Sequence, residues 1–176
     1  YLFIEGYLLS SPSAFKACIA AIQEAKKNNT KIAISLSAEF IASTFKSELD
    51  SLFELGCDLL FCNEAEALAY SGETDLELAT ELLENTVDHI LITLGSEGCM
   101  GFDDEEAFLV DGIKVDAIDT NGAGDMFAGA VLHSLCEGLN LKKAAEFGCQ
   151  AASKQVQKFG PRLTAEACQE IKKNYF

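Results

Sequence analysis

A chain of 176 residues with 49% hydrophobic and 23% charged side chains has the length of about one domain and the apolar content for a core, which excludes collagen, low-complexity linker and disordered tail. The formal net charge of −15 repels duplex nucleic acid and removes it from the expected partners. A small anion is still admissible, because backbone N–H groups at one helix end hold phosphate against an unfavourable global charge.

Seven cysteines (Cys18, Cys57, Cys62, Cys99, Cys136, Cys149 and Cys168) are odd in number and form no C-x-x-C pair, so they read as small hydrophobes in a reducing compartment. His89 and His133 are isolated in apolar stretches and lack zinc-ligand spacing. No apolar run is long enough to span a bilayer and no signal-peptide layout opens the chain, so no membrane partner is expected and a soluble, cytoplasmic protein is the default. The chain opens without Met in Tyr1-Leu2-Phe3-Ile4, like a strand already under way, which leads us to expect a piece of a longer polypeptide.

In chain order, the run from Tyr1 to Ile4, continuing to Tyr7 and Leu8, reads as a strand buried on both faces. Ser11-Pro12 is a helix start, followed by Phe15, Cys18, Ile19, Ile22 and Ala25 at helical spacing and closed by the polar stretch 26–29. A strand over 31–36 precedes a helix with apolar face Leu49, Leu52 and Phe53, ending at Gly56. A third strand over 58–62 leads into 64–70 and a helix carrying Leu78, Ala79, Leu82 and Leu83.

A fourth strand over 89–94 is followed by short segments over 99–102 and 107–110, joined by Asp103-Asp104-Glu105-Glu106, which reads as a solvated hairpin turn rather than a metal site. An extended piece over 115–118, helices over about 124–136 and 141–156, a Gly160-Pro161 stop and a last amphipathic turn complete the chain. Strands alternating with helices imply parallel pairing through right-handed crossovers, hence a three-layer α/β/α fold with a mostly parallel central sheet, in a single domain over 1–176.

The chemistry concentrates in Asp119-Thr120-Asn121-Gly122-Ala123-Gly124-Asp125, just before the apolar helix that includes Phe127. Two glycines ahead of a helix let a ligand approach the backbone and leave N–H groups aimed at it, an anion cradle strengthened by the helix dipole. A dinucleotide fingerprint would need Gly where Phe127 stands, a Walker loop would need Lys at Ala130, and an EF-hand would need an acidic or amide residue at Ala123 and Glu at Ala130. A capped helix with a glycine turn remains open as the plain alternative. A carboxylate in the first helical turn beside an anion cradle suits phosphoryl transfer to an alcohol, in which Asp125 accepts the hydroxyl proton and the amides stabilise charge on the transferring group.

At these residues the sequence resembles the ribokinase-like carbohydrate and nucleoside kinases, the PfkB family, whose second signature D-T-x-G-A-G-D is matched without a mismatch by residues 119–125. The resemblance covers essentially the whole chain, but only the C-terminal part of a typical member. It implies the ribokinase-like fold, with Asp125 as catalytic base and the amides of Gly122, Ala123 and Gly124 as the anion hole. It also implies that Asp119 and Asn121 match positions that hold a monovalent cation in potassium-activated members. Asn63-Glu64-Ala65-Glu66 resembles the family's N-x-x-E motif, which places Asn63 and Glu66 near Mg²⁺ through water. The same spacing is a capping box, and the two roles are compatible. Thr93-Leu94-Gly95-Ser96-Glu97-Gly98 resembles the T-x-G-x-x-G nucleotide loop, with Thr93, Gly95 and Gly98 near the phosphates of ATP.

The sequence departs from the family at Cys149, where many members carry Asn or another polar residue near the adenine, and at Met126, which replaces a small residue after the base. The N-terminal region of a typical member, with its first glycine motif, much of the sugar site and the lid, has no counterpart here. Glu5-Gly6-Tyr7-Leu8 and Phe159-Gly160-Pro161-Arg162 resemble adenosine-kinase-like members. The expected acceptor is therefore a nucleoside such as adenosine or a sugar such as ribose or fructose, with ATP and Mg²⁺. The alternative of another class is a catalytically incomplete nucleotide-binding or interaction module that keeps the kinase fold. Apolar surface left by a missing N-terminal part would favour a homo-oligomer.

Overall fold

The computed structural model describes residues 1–103 and 106–175. Its strands are β1 (Leu2–Glu5), β2 (Ile32–Ser35), β3 (Leu59–Asn63), β4 (Ile90–Thr93), β5 (Gly98–Phe102) and β6 (Ala107–Asp111). Its helices are α1 (Pro12–Lys27), α2 (Glu39–Thr44), α3 (Lys46–Leu55), α4 (Glu64–Ser71), α5 (Leu76–Glu84), α6 (Ala123–Cys136), α7 (Leu141–Gln155) and α8 (Ala165–Tyr175). The six strands lie in sequence order in one sheet, parallel from β1 through β4. This is the mostly parallel α/β architecture that the alternation of strands and helices implies. The chain divides into two compact units, one formed by residues 1–93 with 102–106 and the other by 94–101 with 107–176.

In the first unit, β2, β3 and β4 are nearly continuous apolar runs because both faces of the sheet are covered. Ile34, Leu60, Leu91 and Ile92 are fully buried, each worth about 1.5–3 kcal/mol of transfer free energy. The register pairs Leu60 with Ile90 and Asn63 with Thr93, so two polar residues stand side by side where the strands end. Helix α1 begins with Pro12 at its first position and buries Cys18, Ile22 and Ala25, as its spacing predicts.

Three readings of this unit change. The first strand stops at Glu5, and residues Gly6–Ser10 form a 3-10 turn instead of continuing through Tyr7 and Leu8. Gly6 donates its N–H to Ser37 Oγ at 2.8 Å, and a Cβ there would lie 2.7 Å from the Leu36 carbonyl oxygen. The turn buries Leu9 and leaves Tyr7 and Leu8 exposed. A short additional helix, α2, precedes α3, and the two are separated at Phe45. On α5 the buried face is Ala79, Thr80 and Leu83, while Leu78 turns to solvent. Thr80 enters the core because its hydroxyl donates to the Leu76 carbonyl at 2.7 Å and so leaves no unmet polar group.

The second unit is built on α6 and α7. Gly148 lets the helices close up, since a Cβ there would sit 2.7 Å from the Phe127 ring and 2.8 Å from Val131. Ala130, Phe147, Ala151 and Ile171 form a small core on which Met126, Leu163 and Tyr175 pack. The amphipathic end of the chain is an eleven-residue helix, α8, rather than a single turn. No strand forms over 115–118, and Ile118 is exposed. That segment is held at its end, where the N–H groups of Ile118 and Asp119 both donate to the Val156 carbonyl, at 2.7 and 3.1 Å. The acidic turn predicted over 103–106 falls partly on Asp104 and Glu105, outside the described residues; Glu106 N–H donates to Asp103 Oδ1 at 3.4 Å. Among the described residues no helix is long and apolar enough to cross a membrane, and no group of His, Cys, Asp and Glu is assembled as a metal cluster.

Candidate functional site

Helix α6 starts at Ala123, one residue earlier than the spacing suggests, with Gly122 as its N-cap. Gly122 has φ +76° and ψ +5°, a left-handed conformation natural to glycine, and a Cβ there would collide with the Pro161 carbonyl. The two glycines of the segment therefore do different work. Gly122 is demanded by the fold, whereas Gly124 is exposed and a Cβ there would meet nothing within 4 Å. Packing does not explain a glycine at 124.

A helix start leaves backbone donors without intrahelical partners. Here the Ala123 N–H donates to the Thr120 carbonyl at 3.2 Å and the Met126 N–H to the Gly122 carbonyl at 2.9 Å. Among the described residues the N–H groups of Gly122, Gly124 and Asp125 meet no protein acceptor. Gly122 carries no side chain to cap them. Asp125, in the first turn, is exposed. The end of α6 thus offers backbone donors, a helix dipole and a carboxylate at one place.

The loop ahead of α6 is tied down from behind. Asp119 accepts the Asn121 N–H on Oδ1 at 3.0 Å and the Gly160 N–H on Oδ2 at 2.9 Å, and these two bonds hold its carboxyl below the usual carboxylate range. Gln155, at the last turn of α7 and fully buried, donates Nε2 to the carbonyls of Gly160 at 2.5 Å and Asn121 at 3.3 Å. Both amide protons are used, and the orientation of the amide follows from its two partners being carbonyls. Gln155 Oε1 is buried and has no partner among the described residues.

In the first unit, Asn63 ends β3 and caps α4. Glu66 N–H donates to Asn63 Oδ1 at 2.8 Å; in return Asn63 N–H and Nδ2 donate to the two Glu66 oxygens at 3.1 and 2.8 Å. Glu66 is buried to 8% exposure, and burial pushes its carboxyl up despite these bonds, with Glu39 adding to the rise. Thr93, the register partner of Asn63, directs Oγ1 to the Cys62 carbonyl at 3.5 Å.

Beyond β4, Gly95–Glu97 form a 3-10 turn closed by Leu94 N–H donating to Gly98 O at 2.8 Å. Gly98 has φ +103°, and a Cβ there would collide with the backbone of Val110 and Gly112, so packing alone accounts for this glycine. Gly112 N–H donates to the Glu97 carbonyl at 3.0 Å. Cys149, on α7, is buried with its Sγ 3.7 Å from Cys99 Sγ.

The description "pfkB family carbohydrate kinase" is matched by residues 1–168. The chain belongs to the pfkB family. Adenosine kinase from Schizosaccharomyces pombe is 29% identical over 163 residues, covering 84% of this chain and 47% of that protein. Ribokinase from Haemophilus influenzae is 31% identical over 156 residues, covering 85% of this chain and 49% of that protein. The crystal structure of adenosine kinase from Sinorhizobium meliloti superposes with a TM-score of 0.92 at 29% identity, over 98% of this chain and 53% of that one. The fold is accordingly the three-layer α/β/α arrangement of ribokinase-like kinases. The chain spans about half the length of the curated relatives it matches.

Within the first unit of this pfkB chain, Asn63 and Glu66 are bonded to each other and Thr93 is the strand neighbour of Asn63. Within the second, Asp119, Asn121, Gly122, Ala123, Gly124 and Asp125 form one turn and helix start, while Gly95, Gly98 and Cys149 stand elsewhere in that unit. Of the two supports of the signature turn, the Gly160-Pro161 loop is marked in the sequence only as a stop and a resemblance, and Gln155 is not singled out at all. The signal for Gln155 is a polar side chain on the buried face of amphipathic α7, a position that only satisfied bonds make tolerable.

Proposed function

We propose that the polypeptide carrying this sequence transfers the γ-phosphate of ATP to an alcohol group of a nucleoside or sugar. The observation that carries this reading is the start of α6, where the open Gly124, acceptor-free backbone N–H groups and the exposed Asp125 occupy one helix end. Membership in the pfkB family supports it, as do relatives named adenosine kinase and ribokinase.

In this reading Asp125 accepts the proton of the acceptor hydroxyl as its oxygen bonds to phosphorus. The transition state is loose, so the proton leaves late and a carboxylate suffices. The N–H groups of Gly122 and Gly124 stabilise charge on the transferring phosphoryl group. That of Ala123 joins them by sharing its bond to the Thr120 carbonyl. Thr93, Gly95 and Gly98 serve the nucleotide phosphates. Cys149 stands at the position assigned to the adenine contact, with a thiol in place of a polar amide.

Mg²⁺ prefers oxygen ligands and keeps several waters, and it would neutralise phosphate charge during transfer. Asn63 and Glu66 fit such a role, because each Glu66 oxygen is committed to a single Asn63 N–H and retains lone pairs for an ordered water. The turn behind α6 also fits a monovalent cation. The partnerless Gln155 Oε1 lies on the side chain that binds the Asn121 and Gly160 carbonyls, and the Asp119 carboxylate belongs to the same pair of loops.

Adenosine leads the acceptors, with ribose and fructose next. Phosphoryl transfer from radiolabelled MgATP, measured against adenosine, ribose, fructose and a fructose phosphate, tests the reading. Transfer to one of them names the substrate. Absence of transfer to all, with MgATP still bound, favours a module that keeps the kinase fold without turnover.

A further inference from the structure

Seven thiols are distributed through the described residues, and one pair is set apart from the rest. Cys99, the second residue of β5, and Cys149, on α7, bring their sulfur atoms to 3.7 Å although fifty positions separate them in sequence. Cys99 is 1% exposed and Cys149 9%. Both belong to the second unit, so their approach does not depend on how the two units are arranged. Cys18, Cys57 and Cys62 are buried, and Cys136 and Cys168 are exposed.

We infer that Cys99 and Cys149 are a redox-active thiol pair that closes to an intramolecular disulfide on reaction with a hydroperoxide. A disulfide needs sulfur atoms about 2.05 Å apart, so the gap closes with small rotations of two short side chains and without moving a strand or helix by a full residue. The hydrogen bond between the thiols assigns the first attack. In the neutral pair the Cys149 thiol donates to Cys99 Sγ. Once Cys149 has lost its proton the Cys99 S–H turns to donate to the thiolate, which holds Cys149 down and pushes Cys99 up, and Cys149 is also the more accessible of the two.

The Cys149 thiolate attacks one peroxide oxygen; the S–O bond forms, the O–O bond breaks, and the departing oxygen takes up a proton to leave as water or an alcohol. Cys99 then gives up its proton and attacks the Cys149 sulfur; the S–S bond forms, the S–O bond breaks, and the second oxygen leaves as water. The two electrons lost by the thiols are those gained by the hydroperoxide, and a dithiol reductant returns the pair to its starting state by thiol–disulfide exchange. The bridge ties the start of β5, directly after the Gly95–Glu97 turn, to α7. The loop it closes contains the whole of residues 119–125.

The test uses the chain with Cys136→Ser and Cys168→Ser, which removes the exposed thiols and leaves the pair intact. After a small excess of hydrogen peroxide and quenching, non-reducing digestion and mass spectrometry should recover a peptide joining Cys99 to Cys149, lighter by two hydrogens than its halves and split by dithiothreitol. The further change Cys149→Ser should abolish it. The inference is overturned if Cys99 and Cys149 stay reduced while Cys136 and Cys168 of the parent chain oxidise. It is equally overturned if the cross-link joins other cysteines, or if Cys149 proceeds to sulfinic acid without bridging. The decisive reading is made with both cysteines present, so it does not rest on the folding of the serine variant.

Discussion

Asp119 and Gly160, forty-one residues apart, are joined by a carboxylate-to-amide bond of 2.9 Å that sets the turn ahead of α6 against the loop after α7. The bond holds the Asp119 carboxyl below its usual range, together with the bond from Asn121 N–H. For a carboxyl lowered in the folded state, the contribution to stability is present above the unfolded value and is lost as pH falls through the folded one. The protection of the Gly160 amide, taken relative to its intrinsic exchange rate at each pH, should therefore fall as the medium is acidified below the ordinary Asp range, and Asp119→Ala should show little protection at neutral pH. Amide exchange followed by NMR checks both; protection that is independent of pH and of Asp119 would remove the tie.

The two glycines of the signature turn should respond in opposite ways to alanine. Gly122→Ala forces a side chain into a left-handed conformation against the Pro161 carbonyl and should cost about 1–3 kcal/mol in denaturant unfolding. Gly124→Ala meets open space on a helical residue and should leave stability unchanged or raise it by about 0.5 kcal/mol. Its effect should fall on MgATP affinity or transfer instead. Equal destabilisation by both would show that Gly124 is a packing glycine.

Gln155→Leu removes both donors to the Asn121 and Gly160 carbonyls while keeping the bulk of a fully buried side chain. Loss of these two bonds should lower stability by about 2 kcal/mol in chemical denaturation. A variant as stable as the parent would mean that the carbonyls find other partners.

Glu66 titrates in the opposite sense to Asp119, since burial raises its carboxyl in the folded state. The protonated form is favoured by folding, so its contribution falls as pH rises from the unfolded Glu value through the raised folded one. The stability of the parent relative to Glu66→Gln should decline over the range just above ordinary Glu titration and be flat on either side. Paired denaturant curves across that range check the sign.

Much of the fold was legible because its local signals agree: the alternation of strands and helices, Pro12 at a helix start, and the Asn63-Glu66 box each specify one structure. The turn at Gly6 was not legible, since Tyr7, Leu8 and Leu9 form an apolar run whether or not they are buried, and only the contact of Gly6 with the Ser37 hydroxyl distinguishes the cases. Leu78, expected on the apolar face, turns to solvent while Thr80 is buried, because a hydroxyl bonded to its own helix can be buried. In the signature turn the sequence marks the residues of the turn and helix start themselves. It does not mark Gln155, and it marks Gly160 only as a stop; both act from behind and are brought to Asn121 only by the folded chain.

In the proposed reaction Asp125 serves as base beside a nucleotide held by the start of α6. Asp125→Asn keeps the shape of the side chain and removes its capacity to accept a proton, so the decisive measurement is MgATP binding and phosphoryl transfer side by side in parent and variant. Binding within about twofold of the parent, with transfer reduced by about 10²–10⁴-fold, is the expected result. Transfer that persists in Asp125→Asn, or a loss of binding that accounts for the whole loss of transfer, would contradict the assignment.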